Sequence, residues 1–127
     1  MSSTAAVFPL PYFQVYSSSK HYLEAFHHGL TIEYPDFVYL LVRPHFVSTK
    51  MVYGKESFDS VNAKQHVSGV LREFGRLPLT YGHWKHMLIG YLAELCPRTI
   101  LNLITKNVGL EWIDDHEKAR KEGISLD

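Results

Sequence analysis

The sequence predicts a helix-rich α/β fold built on part of a parallel sheet. Two observations lead there. Phe37–Val42 is an unbroken apolar run with β-branched and aromatic side chains, as expected of a strand buried on both faces. Longer stretches on either side of it carry apolar residues at helical spacing. The chain has 127 residues, 46% of them hydrophobic, which fits one domain or part of one, of a size that can bury a real core.

Bulk properties exclude several classes. Thirteen Lys and Arg balance thirteen Asp and Glu, so nothing points to nucleic acid as a partner. A single cysteine, Cys96, rules out an internal disulfide and fits a reducing compartment or face. The opening MSSTAAVFPLPYF lacks the charged start and continuous apolar core of a signal peptide. No stretch of about 18 uncharged apolar residues predicts a spanning helix.

Along the chain, residues 4 to 13 read as a loop punctuated by Pro9 and Pro11. From Gln14 to about Tyr34, Val15, Tyr22, Leu23, Phe26 and Leu30 form one helical stripe, ended by Pro35. The Phe37–Val42 strand follows and stops at Arg43-Pro44. A polar stretch from Tyr53 to Ser60 leads to a second helix. Asn62 and Gln65 resemble a capping box there, Val67, Leu71 and Phe74 mark its face, and Gly75 is its stop. After Leu77-Pro78-Leu79, an apolar stretch runs from Trp84 to Ile104. Met87, Leu88, Tyr91, Leu92 and Leu95 share one face, and Ile100, Leu101 and Ile104 belong to another helix begun near Pro97. The division expected is a partial domain over 1–110 and a charged, frayed tail over 111–127.

Chemistry is suggested by Tyr16 and Lys20. Their spacing of four puts both on one helix face, at the edge of the apolar stripe. A phenol near pKa 10 is a poor base at neutral pH, and an adjacent ammonium lowers that value. Tyr16 then becomes a proton donor or acceptor for a carbonyl or alcohol oxygen. Ser3, upstream across the proline-containing loop, could hold the same oxygen. Tyr-x-x-x-Lys alone is a weak signal, and its bland counterpart is an interfacial tyrosine beside a solvated lysine. The set is more specific. A serine precedes the pair, and the strand after the helix ends in Pro44-His45-Phe46-Val47-Ser48-Thr49, at the carboxyl edge where open α/β sheets bind ligands.

Ser3, Tyr16-Ser-Ser-Ser-Lys20 and Pro44-x-x-Val47-x-Thr49 resemble the Ser, Tyr-x-x-x-Lys and Pro-Gly-x-Val-x-Thr motifs of the short-chain dehydrogenase/reductase family. VFPLPYFQVYSSSK, RPHFVSTKM and TYGHWKH narrow the likeness to the branch of 17-beta-hydroxysteroid dehydrogenases and very-long-chain 3-oxoacyl-CoA reductases. The resemblance covers about Ser3 to Ile104. It implies the C-terminal part of a Rossmann-like doubly wound parallel sheet. It also implies Tyr16 as acid/base, Lys20 lowering its pKa and bonding the nicotinamide ribose, and Ser3 orienting the substrate. Pro44, Val47 and Thr49 would line an NADP(H) site, with Tyr16 and Lys20 also touching the cofactor. The implied substrate is a steroid or a 3-oxoacyl-CoA. The implied location is the endoplasmic reticulum membrane surface, and otherwise the cytoplasm. A homodimer paired through the helix bearing Tyr16 is a further implication.

Departures accompany the likeness. The sequence contains no Gly-rich turn for a pyrophosphate and no Asn-Asn-Ala-Gly segment, and His45 stands where glycine is usual. The expectation is therefore a chain lacking the N-terminal dinucleotide-binding half and inactive alone. The alternative is a non-catalytic lipid- or membrane-associated interaction protein that uses its apolar C-terminal helices. Eight histidines, densest at His27-His28 and His83-x-x-His86, come with no Cys or carboxylate set. They read as surface or capping groups, with no metal expected. Cys96 reads as a small buried residue.

Overall fold

A computed structural model describes residues 1–8, 10–49 and 60–121. The polar stretch expected from Tyr53 to Ser60 lies outside them except for Ser60, as do Pro9 and residues 122–127. A 3₁₀ turn at Thr4–Ala6 is followed by α1 (Gln14–Glu33), β1 (Leu41–Val42), β2 (Val47–Ser48), β3 (Val61–Asn62) and α2 (Ala63–Glu73). The chain continues through β4 (Leu79–Thr80), α3 (Trp84–Leu95) and α4 (Arg98–Lys121). This is a helix-rich α/β arrangement with short parallel strands.

Helix boundaries follow local chemistry. Pro35 closes α1, whose last cap bond runs from the Tyr34 N–H to the Leu30 carbonyl. Asn62 caps α2 with its side-chain oxygen, which accepts from the Lys64 N–H. Gly75 follows α2 with φ 74°, a left-handed conformation that a glycine adopts without steric cost. Pro97 separates α3 from α4.

The strands are shorter than the apolar run suggests. Only Leu41 and Val42 are extended and paired, in parallel with Leu79 and Thr80, while Val47 and Ser48 pair in parallel with Val61 and Asn62. Phe37 and Val38 stand 67% and 64% exposed. A parallel strand extends only as far as its neighbour does, and β4 is two residues long. On the other side, the Ser2 N–H donates to the Val42 carbonyl (2.7 Å) and the Thr4 N–H to the Pro44 carbonyl (2.9 Å). The 3₁₀ turn therefore lies along the end of β1.

Several apolar stripes face outward. Val15, Tyr22 and Phe26 of α1 are exposed, and its one buried residue is Ser17. On α2 the exposed side holds Val67, Leu71 and Phe74, and His66 is buried instead. A side chain at Gly69 would run into the Gly82 carbonyl, so the α2 backbone approaches the β4–α3 turn closely. On α3, Met87, Leu88, Tyr91, Leu92 and Leu95 are exposed, and His86 and Gly90 face inward. Ile100 and Ile104 of α4 are exposed as well.

The charged stretch expected to fray is helical through Lys121. It docks through Trp112, which stacks on Phe46 (5.8 Å, 17°) and meets Phe13 edge-on (5.9 Å). Gly109 brings the helix against the Pro11 carbonyl, where a Cβ would come within 2.7 Å. No helix among the described residues is long and apolar enough to cross a membrane.

Candidate functional site

Tyr16 lies in the first turns of α1, on the side left open by the fold, with 37% of its surface exposed. Lys20 follows one turn later, and its ammonium sits 5.3 Å from the centre of the Tyr16 ring. The helix itself makes this pair: a spacing of four stacks the side chains, and a cation over an aromatic face is attracted to its electron-rich centre.

Ser3 caps the 3₁₀ turn, its hydroxyl oxygen accepting from the Ala5 N–H (3.2 Å). That bond uses a lone pair and leaves the O–H hydrogen free to donate. The side chains of Ser3 and Tyr16 are not hydrogen-bonded to each other. Their segments are joined through a neighbour: the Ser2 hydroxyl bonds the Lys20 carbonyl (3.3 Å) and the Glu24 carboxylate (2.7 Å). Pro44 is buried with its carbonyl bonded to the Thr4 N–H (2.9 Å). Val47 sits half-buried in β2, and Thr49 is exposed just past it. Structure thus sets the three motif-bearing segments side by side, with the contacts between them made by residues adjacent to the predicted ones.

Sequence reasoning missed the group that ties this region together. Arg43 forks onto both Glu24 carboxylate oxygens, at 2.9 and 2.8 Å. Its remaining nitrogen donates to the Tyr81 hydroxyl (3.1 Å) and to Glu94 (3.3 Å). Burial works against the Arg43 charge, but hydrogen bonding to Glu24 and Tyr81 outweighs it, so the pKa stands above the ordinary arginine value. Burial also pushes the Tyr81 phenol up.

Against this geometry, comparison with known proteins is direct. The chain is 32% identical over 110 residues to a very-long-chain 3-oxoacyl-CoA reductase of Anas platyrhynchos, covering 84% of this chain and 35% of that protein. It is 32% identical over 108 residues to hydroxysteroid dehydrogenase-like protein 1 of Gallus gallus, covering 79% and 32%. With 17-beta-hydroxysteroid dehydrogenase type 3 of Danio rerio it shares 31% identity over 104 residues, covering 80% and 34%. This chain belongs to the short-chain dehydrogenase/reductase family. It spans about a third of the length of these curated relatives. No protein-family model and no solved structure matches it.

Short-chain dehydrogenases use nicotinamide cofactors, and the described residues fit one end of such a group. Tyr16 and Lys20 present a hydroxyl and an ammonium on an open helix face, and Ser3 keeps a hydrogen to donate. The sequence has no Gly-x-Gly-x-x-Gly turn of the kind that cradles a pyrophosphate.

One group of side chains departs from the expected surface histidines. His83 does cap α3, accepting from the Lys85 N–H (3.2 Å), but His86 has 0% exposure. Its ring lies among those of His45 (5.9 Å), His66 (5.5 Å) and His83 (6.2 Å). Burial, then the His45 charge, pulls the His86 pKa down to about 4. Burial and His83 lower that of His66, which is buried with both ring nitrogens lacking a hydrogen-bond partner. Among the described residues no three potential ligands converge on a metal position. Cys96 is half-buried, in the wall of a cavity of about 200 Å³ between the 3₁₀ turn and the α3–α4 joint.

Proposed function

We propose that this chain supplies the acid/base and nicotinamide-facing side of an NADP(H)-dependent oxidoreductase. Its substrate is the carbonyl or hydroxyl of a 3-oxoacyl-CoA or a steroid, the classes named by its relatives. The observation that carries this reading is the Tyr16–Lys20 pair, stacked at 5.3 Å on an accessible helix face.

In the direction of reduction, the Tyr16 hydroxyl gives its proton to the substrate oxygen; in oxidation it takes one back. Lys20, one turn further along the same helix face, offers hydrogen bonds to the cofactor ribose. Ser3 donates its free hydrogen to the same substrate oxygen and stabilises charge gathering there. Pro44, Val47 and Thr49 form the wall against the cofactor. The nicotinamide supplies or receives the hydride when bound. Location at the endoplasmic reticulum surface and pairing of two copies through α1 belong to the same reading. So does inactivity of the 127 residues taken alone, motivated by a sequence without a Gly-x-Gly-x-x-Gly turn to cradle a pyrophosphate.

Titration of the purified chain with NADPH, followed by cofactor fluorescence, tests the reading. Saturable binding at roughly micromolar concentration, the common range for enzyme ligands, supports the cofactor wall. No binding up to about millimolar NADPH overturns the cofactor roles given to Tyr16, Lys20, Pro44, Val47 and Thr49 in this chain.

A further inference from the structure

The Pro44–Thr49 segment is gripped from two sides. From the 3₁₀ turn, the Thr4 N–H bonds the Pro44 carbonyl (2.9 Å), and the Thr4 hydroxyl shares a hydrogen bond with His45 Nδ1 (2.9 Å). From α3, His86 engages two consecutive peptide groups. The His45 N–H donates to His86 Nδ1 (3.3 Å), and His86 Nε2 donates to the Phe46 carbonyl (3.0 Å). That carbonyl also accepts from the Val61 N–H (3.1 Å), so β3 and α3 meet at one atom. An imidazole with one nitrogen accepting and the other donating is neutral and fixed in orientation. An aliphatic side chain of similar volume fills the space but leaves a peptide N–H without a partner.

We propose that His86 is a positioning residue that sets the orientation of the Pro44–Thr49 segment toward the cofactor. This rests on the reading of Pro44, Val47 and Thr49 as a cofactor wall. Simple core filling does not account for the pattern. The inward face of α3 carries little else but Gly90, and His86 bonds two consecutive peptide groups of the segment that precedes β2, with a further backbone interaction at Tyr81. The groups facing His86 are His45 from that segment, His66 from α2, and His83 and Tyr81 around the start of α3. None is acidic; the Phe46 and Tyr81 backbone groups favour a charged ring, but burial and His45 outweigh them.

Two variants and the wild type decide the matter. In His86→Leu the His45 amide should exchange with solvent at least about tenfold faster while α1 amides keep their rates. NADPH affinity should fall by about tenfold. His86→Gln, which keeps a donor near Nε2, should recover a large share of both. Equal acceleration of all amides, or none at His45, overturns the proposal in favour of a structural role. Selective acceleration with unchanged NADPH affinity overturns the link to the cofactor. Failure of the wild-type protein to bind NADPH at all overturns the cofactor reading instead, and the exchange rates still decide whether His86 holds the segment. If His86→Leu does not fold, imidazole nitrogen shifts of the wild type serve. A neutral Nε2–H ring persisting down to about pH 5 supports the clamp, and titration near the ordinary histidine value of about 6.5 overturns it.

Discussion

Arg43 and Glu24 form a two-pronged pair, with nitrogen–oxygen distances of 2.9 and 2.8 Å and side-chain exposures of 12% and 15%. The pair joins the end of β1 to the middle of α1. It thereby fixes the helix that carries Tyr16 and Lys20 against the strand that leads into Pro44. Bidentate geometry and low exposure separate it from an ordinary surface ion pair such as Lys118–Asp114.

Removing one partner leaves the other charge half-buried and unpaired. Arg43→Met should therefore cost about 2–4 kcal/mol, read as a lower midpoint in urea unfolding. Lys118→Ala, at an exposed helix pair, should stay within roughly 0.5 kcal/mol of wild type in the same measurement.

Tyr16→Phe keeps the ring over which Lys20 sits and removes only the hydroxyl. Where the protein turns over a ketone or alcohol substrate with NADP(H), this variant should lose about a thousandfold or more in kcat. Its NADPH affinity should stay within about threefold of wild type. Absorbance of NADPH under steady-state conditions checks the first, and fluorescence titration the second. Substantial residual turnover would remove Tyr16 from its assigned role.

Acid should weaken the fold through His86. Its folded pKa of about 4 lies below the ordinary value near 6.5 that it regains on unfolding, so the unfolded chain binds more protons between those limits. The contribution is complete above about pH 6.5 and falls away as pH drops toward 4, by roughly 3 kcal/mol in all. His66, also lowered, acts in the same direction. Denaturation midpoints measured from pH 7 to pH 4.5 should decline, and His86→Gln should flatten the curve. An unchanged slope in that variant would assign the acid sensitivity elsewhere.

α4 should depend on its small residue and its aromatic anchor. Gly109→Val pushes side-chain atoms into the Pro11 carbonyl, and Trp112→Ala removes the stack on Phe46. Each should cost about 1–3 kcal/mol and make α4 cleavable under limited proteolysis before the rest of the chain. Equal cleavage of wild type and variants would show that the helix is not held by these contacts.

How much of this was legible in the sequence depends on the range of the interaction. Pro35, Asn62, Gly75 and Pro97 act on their immediate neighbours, and the helix ends fall where they indicate. Tyr16 and Lys20 were legible as a pair because helix geometry alone stacks them. The inward faces were not. On α2, Val67, Leu71 and Phe74 carry the apolar periodicity, yet Gly69 lets the backbone meet Gly82 and thereby turns His66 inward. On α3, Gly90 does the same against the Tyr81 ring and buries His86. Glu24, Arg43 and Glu94 look like solvated charges in one dimension; only the folded chain joins them. Residues 111–121 are rich in charge, so their composition hid the docking of Trp112. The two-residue strands could not be inferred from Phe37–Val42, because strand length is set by a partner far along the chain.

That parallel pairing also sets an order of events during synthesis. β1 emerges from the ribosome well before β4, and no tight hairpin can supply a substitute partner in a parallel arrangement. Helix α1 can coil as soon as it is made, but the edge that it is to be fastened beside stays bare of its β4 partner until residue 80 has been translated. A nascent chain halted before that point would present the unpaired backbone of Leu41 and Val42 to chaperones and to its own copies.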